Sequence, residues 1–313
     1  RAGAGTAPLR FQEGAFRMSD PACRDILALL RERPLLTEGA MGTMLDKKGL
    51  AARNTAERNL THPEVVGEIH REYLEAGSDI FWANSFVANR HMLEAAGLAD
   101  RTAEAQRASM QIVRDAVGFD HPCGANVGPT GGVMEPYGTV TRDEVIAVYR
   151  EQFENILPEG PDFIIFETFE VLEELEAAFE ALAEFDVDLP KIACVSFSSP
   201  NGRSSWGVDG KTAVERMTAC GADVVGTNCG HLDGLRIGVK DMLDSTDLPV
   251  HAEPNAGVPE LIQGETVFRG TPEEQADITR ELLRMGARIV GGCCGTTPEH
   301  IAAAAKVVRG FAK

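Results

Sequence analysis

The chain has 313 residues, a formal net charge of −18 at pH 7 and 43% hydrophobic residues. It is long enough to bury a large core without disulfide bonds. Nucleic acids and anionic membranes would be repelled by the average surface of so acidic a protein. There is no run of eighteen apolar residues, so the sequence predicts no membrane span.

The N-terminal segment and the cysteines indicate the cellular compartment of the protein. Residues 1–17 contain no methionine and no apolar h-region, so they are not typical of a signal peptide. We interpret them as a leader or a remnant of recombinant expression, with a single domain spanning residues 18–313. The seven cysteines are an odd number without a short disulfide framework, which favours reduced thiols and a cytoplasmic protein.

From residue 34 onward, short apolar or β-branched runs alternate with longer segments of helical periodicity. Eight strands are predicted, at residues 34–40, 79–86, 123–128, 162–169, 191–198, 223–230, 248–254 and 288–295. A helix is expected between each pair of strands, and the clearest one spans residues 169–185 with leucines and phenylalanine on one face.

Other helices have recognisable ends. One is predicted at residues 63–76, with a proline in the first turn and Gly77 as its stop signal. Another begins near Thr271 and ends at Gly286, and the last begins near Thr297. Eight alternating strand and helix units predict an α/β fold, a closed (β/α)₈ TIM barrel, whose active site lies at the C-terminal ends of the strands.

Three cysteines follow two of these strand ends. Cys229 comes after the sixth strand, and Cys293 and Cys294 come after the eighth. A regular strand would point the two adjacent thiols to opposite sides. We expect glycine backbone freedom to turn both inward. The glycines concerned are Gly291, Gly292 and Gly295.

This trio predicts a Cys₃ zinc site with its fourth position open to substrate. Three thiolates leave the metal centre with a net negative charge, which suits a bound thiolate nucleophile better than activation of water. Coincidence is one alternative, since no C-x-x-C motif is present. A redox role for Cys293 and Cys294 is another, although it would leave Cys229 unused. The remaining cysteines are interpreted as core residues: Cys23, Cys123, Cys194 and Cys220.

Two carboxylates, Glu38 and Glu167, follow the first and fourth strands. Facing an amino-acid substrate, they would receive its ammonium group through charge-assisted hydrogen bonds. The turn of residues 39–42, beginning with Gly39, would offer backbone N–H groups to the substrate carboxylate. His231 and His251 also lie near strand ends and are interpreted as structural histidines rather than groups that support the metal ligands.

Several of these segments occur together, in order, as motifs. They are Glu38-Gly39-Ala40-Met41-Gly42-Thr43, Ala83-Asn84-Ser85-Phe86, Gly128-Pro129-Thr130-Gly131, Phe166-Glu167-Thr168, Thr227-Asn228-Cys229 and Gly291-Gly292-Cys293-Cys294-Gly295-Thr296-Thr297-Pro298-Glu299-His300. With them, residues 34–310 resemble the homocysteine S-methyltransferase family. The resemblance implies a zinc-dependent (β/α)₈ enzyme that methylates homocysteine to methionine.

The resemblance also implies roles for particular residues. Cys229, Cys293 and Cys294 would be the zinc ligands, and Glu38 and Glu167 would bind the ammonium group of homocysteine. An asparagine at the position of Asn255 can occupy the fourth zinc position in the methionine synthase branch until homocysteine displaces it. The family usually has aspartate where Glu38 stands, so the longer side chain is a departure that shifts the amino-group pocket.

The methyl donor is less constrained. The loop of residues 52–60 lacks the aromatic residue that relatives using betaine or S-methylmethionine place against a cationic donor, and Thr168 replaces the tyrosine of the betaine enzymes. This loop and the segments 129–131 and 254–257 instead resemble the homocysteine module of cobalamin-dependent methionine synthase. That similarity implies methylcobalamin on a partner corrinoid protein, because no folate or corrinoid domain follows the eighth predicted helix. A small donor is the alternative, with aromatic walls from Tyr137 and Trp206, whereas Trp82 is expected to pack in the barrel.

We therefore predict a zinc-dependent homocysteine S-methyltransferase. Two other hypotheses remain open at this point. One is a catabolic demethylase that clears a sulfonium or quaternary ammonium compound with a thiol as acceptor. The other is a zinc-holding subunit of a corrinoid methyltransferase complex.

Overall fold

The computed structural model describes residues 24–262 and 265–311. The predicted leader at residues 1–17 and the core position expected for Cys23 lie outside these residues. Ten strands are present in this part of the chain: β1 Leu35–Leu36, β2 Phe81–Trp82, β3 Cys123–Val127, β4 Phe163–Phe169, β5 Lys191–Val195, β6 Val224–Asn228, β7 Val250–Glu253, β8 Glu260–Ile262, β9 Glu265–Val267 and β10 Ile289–Val290.

Eight of these strands form one parallel sheet that closes on itself. Its order is β1-β10-β7-β6-β5-β4-β3-β2, with every neighbouring pair parallel. A parallel bridge between Thr37 and Ile80 joins the two ends of this order. The predicted (β/α)₈ barrel is therefore confirmed. The other two strands, β8 and β9, pair antiparallel as a hairpin after β7, which the sequence analysis did not predict.

Twelve α-helices accompany the strands: α1 Ile26–Glu32, α2 Gly42–Lys47, α3 Arg58–Thr61, α4 Pro63–Ala76, α5 Arg90–Ala95, α6 Thr102–Val117, α7 Arg142–Ile156, α8 Leu172–Leu182, α9 Gly210–Ala219, α10 Leu232–Leu243, α11 Pro272–Met285 and α12 Pro298–Phe311. Eight of them surround the sheet in the circular order α4-α6-α7-α8-α9-α10-α11-α12 and back to α4. No helix in the described residues is long and apolar enough to cross a membrane.

Local sequence signals account for the helix ends. Thr141 and Thr271 each begin a capping box, with a glutamate three residues later bonding back to the cap. Gly77 ends α4 in the left-handed region at φ 105°, which costs glycine little. The predicted α4 and α11 are confirmed at both ends, whereas α8 is shorter than the predicted 169–185 because β4 continues to Phe169.

The strands are shorter than predicted, and this difference matters for the site. The first strand ends at Leu36 rather than at residue 40, and the last one ends at Val290 rather than at residue 295. The polar residues after these two strands therefore lie in loops, where successive side chains need not point to opposite sides as they do in a strand. This freedom lets Cys293 and Cys294 approach the same point.

The barrel interior is apolar at its N-terminal end. Inward-facing residues of the strands pack together there, and Ile26 and Leu30 of α1 cover them. These inner residues are Leu35, Ile80, Phe163, Ile165, Ile192, Val224 and Ile289. Burying each large aliphatic or aromatic side chain stabilises the fold by about 1.5–3 kcal/mol. With that end filled, the polar residues of the interior gather at the opposite, C-terminal end.

Candidate active site at the C-terminal end of the barrel

A cavity of about 410 Å³ opens at the C-terminal ends of the strands. Six of the seven residues predicted for the site line it, namely Glu38, Gly39, Glu167, Cys229, Cys293 and Cys294. Asn255, the seventh, borders the cavity through Cys229, because its Oδ1 lies 3.2 Å from the Cys229 Sγ. The fold thus gathers residues from five different strand ends in one place.

The three thiols form a compact cluster. Their Sγ atoms are 3.0 Å apart for Cys229 and Cys293, 3.5 Å for Cys229 and Cys294, and 4.0 Å for Cys293 and Cys294. All three cysteines are free. Tetrahedral zinc with Zn–S bonds of about 2.3 Å separates its sulfurs by about 3.8 Å. The cluster therefore has the size that such an ion requires.

The backbone after β7 holds this cluster in place. The Cys229 N–H donates to the Glu253 carbonyl at 3.0 Å, and the Cys293 N–H donates to the Pro254 carbonyl at 2.9 Å. Cys229 itself has φ 59°, a left-handed conformation that L-residues rarely adopt. Such a conformation costs free energy and persists where the surroundings impose it.

The three glycines near Cys293 act in two different ways. Gly295 has φ 81°, as expected for a residue that turns the chain. Gly291 is instead required by close packing, because a Cβ there would lie 1.7 Å from the Thr37 Oγ1. A Cβ on Gly292 would lie 2.5 Å from Thr296. The expectation of backbone freedom was wrong for Gly291 and Gly292, where the absence of a side chain is what matters.

One negative charge is stabilised within the cluster. Hydrogen bonds from Cys229 and Cys293 lower the pKa of the Cys294 thiol to about 4. Hydrogen bonds to Cys229 and Cys294, together with burial, raise the pKa of Cys293 well above its usual range. The first thiolate is thus easy to form and the next ones are costly, so a cation is needed to hold three thiolates together.

Glu167 lies near the C-terminal end of β4, with its carboxylate buried and fixed at both oxygens. Asn228 Nδ2 donates to Oε1 at 3.0 Å, and Asn126 Nδ2 donates to Oε2. Burial, and then the charge of Glu253, raise the pKa of Glu167 to about 8. A bound ammonium group would reverse this shift, because an opposite charge favours the ionised carboxyl.

Asn228 links this carboxylate to the thiols through Nδ2, and it was not among the predicted site residues although it precedes Cys229. Its Oδ1 accepts from the Thr168 N–H at 2.9 Å, and its Nδ2 donates to the Thr168 Oγ1 at 2.8 Å as well as to Glu167. Thr168, like Cys229, has φ 59°. One fully buried amide therefore holds the strained Thr168 backbone and one carboxylate, and its Nδ2 also donates to the Cys293 sulfur at 4.0 Å.

Glu38 is also held on both sides. The backbone N–H of Trp82 donates to Oε1 at 3.0 Å, and Nδ1 of the buried His70 lies 2.7 Å from Oε2. The glutamate is 3% exposed. Its longer side chain thus bridges the second strand and helix α4, which gives a physical role to the departure from aspartate.

The turn after Glu38 is shaped by close packing. A Cβ on Gly39 would lie 2.7 Å from the Tyr73 ring and 2.8 Å from the Thr296 Oγ1. The Ala40 N–H donates to the same Thr296 hydroxyl at 3.1 Å. The Ala40 N–H is therefore already paired within the protein. In the turn of residues 39–42, which was predicted to bind the substrate carboxylate, only the other backbone N–H groups remain candidates.

A buried polar network below the cavity was not predicted. Glu253, fully buried, has its Oε1 bonded to the Thr37 hydroxyl, and its Oε2 lies 3.4 Å from His251 Nε2. The Nδ1 of His251 lies 3.0 Å from the Cys194 Sγ. His251 is thus structural, as predicted, and Cys194 is a core cysteine. No motif identified Glu253, because its inward direction follows from strand register alone.

The remaining predicted residues lie away from the cavity or serve the fold. Cys123 is buried, whereas Cys220 is only partly buried and packs against the outside of the core. His231 caps α10 by accepting from the Asp233 N–H. Trp82 packs inside the barrel as predicted and also lines the cavity. Tyr137 and Trp206 are exposed and contact each other with tilted rings whose centroids are 5.2 Å apart, and neither lines the cavity.

Known proteins match this sequence and fold. The chain is 31% identical over 303 residues to methionine synthase of Mycobacterium tuberculosis, covering 91% of this chain and 25% of that protein. It is 29% identical over 304 residues to the Mycobacterium leprae methionine synthase, with the same coverage. The chain thus spans about a quarter of the length of these relatives.

A solved structure agrees with this match. The oxidized form of the homocysteine methyltransferase MmuM from Escherichia coli has a TM-score of 0.75 and 25% identity, covering 91% of this chain and 99% of that one. The metallated form has the same TM-score at 24% identity. The model of the family described as homocysteine S-methyltransferase matches residues 35–308. The chain therefore belongs to the homocysteine S-methyltransferase family.

Proposed function

We propose that this protein transfers a methyl group to the thiol of homocysteine, forming methionine, with zinc held by Cys229, Cys293 and Cys294. The observation that carries the proposal is the cluster of three free thiols within 4.0 Å of one another, in a cavity that the buried carboxylates of Glu38 and Glu167 also line. Thiolates are the ligands that zinc favours, and the carboxylates suit the ammonium group of an amino acid.

When bound, zinc would lower the pKa of an incoming thiol and leave the resulting thiolate nucleophilic. The protein supplies the position next to the cluster. Asn255 Oδ1 faces the Cys229 sulfur, and its Nδ2 is tied to the Gly230 carbonyl at 3.1 Å. This tether directs an uncharged oxygen toward the cluster, where it would give way to the substrate sulfur.

The carboxylates position the amino-acid end of homocysteine. Glu38 and Glu167 have their geometry set by four donors within the protein, so neither must reorganise to accept the ammonium group. Pairing with the ammonium also supplies the positive charge that buried Glu167 lacks. Binding of the ammonium and ionisation of Glu167 thus support each other.

The reaction is a substitution at carbon. The homocysteine thiol releases its proton to solvent on binding. Its sulfur then attacks the methyl carbon, and the bond from that methyl to the donor breaks with the electron pair leaving on the donor. Because the substrate sulfur is held in a fixed position facing an open cavity, the methyl donor meets it in a defined orientation. The residues described here therefore provide a nucleophile and its orientation, and the donor approaches from the cavity mouth.

Two classes of donor fit this arrangement. A methylcobalamin carried by a corrinoid protein agrees with the methionine synthase relatives, of which this chain spans a quarter. With a small sulfonium or quaternary ammonium donor, the same reaction would serve in the cytoplasm to remove a methyl group from the donor, as a catabolic demethylation. The same cavity serves both, so a comparison of donors distinguishes them.

The test is a zinc determination and a donor screen on one reduced preparation. We expect one zinc per chain and methionine formed from homocysteine with one donor among methylcobalamin, S-methylmethionine, betaine and a sulfonium propionate. Cys294→Ala should lose zinc and activity together, and Cys220→Ala, a cysteine outside the cavity, should keep both. Full activity of Cys294→Ala would refute the proposal.

A further inference from the structure

Asn126 lines the cavity with one half of its amide unused. It belongs to β3 and is 4% exposed. Its Nδ2 donates to the Glu167 Oε2, whereas its Oδ1 accepts no hydrogen bond. Leaving a buried acceptor without a donor costs about 1–3 kcal/mol, so such an atom in a binding cavity calls for a donor from a ligand.

Other buried polar atoms without partners do not carry the same argument. Among the described residues, only Asn126 Oδ1 and Glu253 Oε2 are such atoms in residues that line this cavity. Glu253 Oε2 has His251 Nε2 at 3.4 Å, so the protein itself holds a donor nearby. Asn126 Oδ1 has no hydrogen-bond partner among the described residues.

The direction of this amide is fixed by its surroundings. Ser85 Oγ accepts from the Asn126 N–H at 3.2 Å and donates to the Asn126 carbonyl at 2.7 Å, which locks the backbone. Gln152 Nε2 donates to the same carbonyl at 3.3 Å. Because the Nδ2 must face the Glu167 carboxylate, the Oδ1 is the half of the amide left for a ligand.

We infer that Asn126 Oδ1 accepts a hydrogen bond from the ammonium group of the substrate, an inference that rests on the proposed function. An ammonium group has three protons, and Glu38 and Glu167 offer acceptors for two of them. Asn126 provides the third acceptor without adding a further carboxylate to a cavity already lined by Glu38, Asp46, Glu167 and Glu253. It thus makes the site specific for a free primary ammonium.

Asn126 should therefore give the site selectivity for ligands that carry an ammonium group, and two ligands can be compared to measure it. L-Homocysteine and 4-sulfanylbutanoate share the thiol and the carboxylate and differ in the ammonium group. In zinc-loaded protein, Asn126→Leu should weaken homocysteine binding about 10–100-fold, the range for a hydrogen bond to a charged group. Its affinity for 4-sulfanylbutanoate should stay within about 3-fold of the wild type, because that ligand has no ammonium to lose.

Calorimetric titration of both ligands tests this, with Gln152→Leu as the matched control. Gln152 is a buried amide that contacts the Asn126 backbone and does not line the cavity, so its loss should leave the ratio of the two affinities unchanged. Equal weakening of both ligands by Asn126→Leu, or no weakening of homocysteine, would overturn the inference. Failure of homocysteine to bind the wild type would instead overturn the proposed function.

A second measurement does not require a variant to fold. The side-chain carbonyl ¹³C resonance of Asn126 in the wild type should shift when homocysteine binds and stay in place when 4-sulfanylbutanoate binds. A shift of equal size with both ligands, or with neither, would contradict a hydrogen bond from the ammonium group.

Discussion

Asn228 offers the sharpest test of how the site is held together. Replacing it by alanine removes four hydrogen bonds, from the Thr168 N–H, to the Thr168 hydroxyl, to the Cys293 sulfur at 4.0 Å and to Glu167. The first and last of these leave a buried N–H and a buried carboxylate oxygen unsatisfied, at about 1–3 kcal/mol each, with more for the charged group. We therefore expect Asn228→Ala to lower the free energy of unfolding by about 3–6 kcal/mol.

The functional effect should exceed that of an ordinary buried amide. Without Asn228, Thr168 at φ 59° loses the side chain that binds its N–H and its hydroxyl, and the Cys293 sulfur loses the amide that donates to it. A thiol that has drifted no longer matches its two neighbours, and Glu167 loses one of two donors. Homocysteine affinity and zinc affinity should each fall at least about 10-fold, in the range seen when groups orienting a metal ligand are removed.

Gln106→Ala is the control, since Gln106 is also fully buried and bonded at both ends of its amide. Urea unfolding gives the stability of both variants, and calorimetry gives their affinities for zinc and homocysteine. We expect both variants to lose stability and only Asn228→Ala to lose affinity. The reasoning fails if Asn228→Ala binds zinc and homocysteine as the wild type does.

Three further predictions concern single positions. Burial raises the pKa of Glu167 from 4.5 to about 8, so the folded state binds this proton more tightly than the unfolded state does, and the resulting stability is lost as pH rises from about 4.5 to 8. In metal-free reduced protein, Glu167→Gln should therefore remove this fall in stability with pH. Urea-unfolding free energies that change in parallel for the variant and the wild type between pH 5 and 8 would contradict the prediction. Gly291→Ala should destabilise the fold by more than about 2 kcal/mol, because its Cβ would meet the Thr37 hydroxyl at 1.7 Å, and an unchanged melting temperature would argue against this contact. Glu38→Asp should withdraw the carboxylate from His70 and raise the homocysteine KM about 10-fold with kcat little changed, so an unaltered KM would show that the tether is dispensable.

The sequence predicted the barrel because each unit carries its own signal. Alternating apolar runs and amphipathic helices with capping residues are local patterns, and a chain of eight such strand and helix units is compatible with only a few topologies. The three thiols could be assigned to one face for the same reason, since the C-terminal ends of parallel strands meet at one end of the barrel. The strand limits were less accurate, because the glycine-rich ends of β1 and β10 leave the sheet early.

The supporting residues could not be predicted, for a physical reason. Asn126, Asn228 and Glu253 lie on strands, and an isolated polar residue on a strand reads equally well as inward or outward until the register is known. Their partners are 41 to 216 residues away in the chain, as the contacts of Asn126 with Glu167 and of Glu253 with Thr37 show. Left-handed Thr168 and Cys229 carry no sequence signal, because neither is glycine.

The measurement that tests the central claim most directly is X-ray absorption at the zinc edge, with and without homocysteine. We predict three sulfur ligands and one oxygen in the free protein, the oxygen from Asn255, and four sulfur ligands once homocysteine is bound. Fewer than three sulfurs in the free protein, or a coordination unchanged by homocysteine, would contradict the proposal that these thiols hold a zinc ion that binds the substrate sulfur.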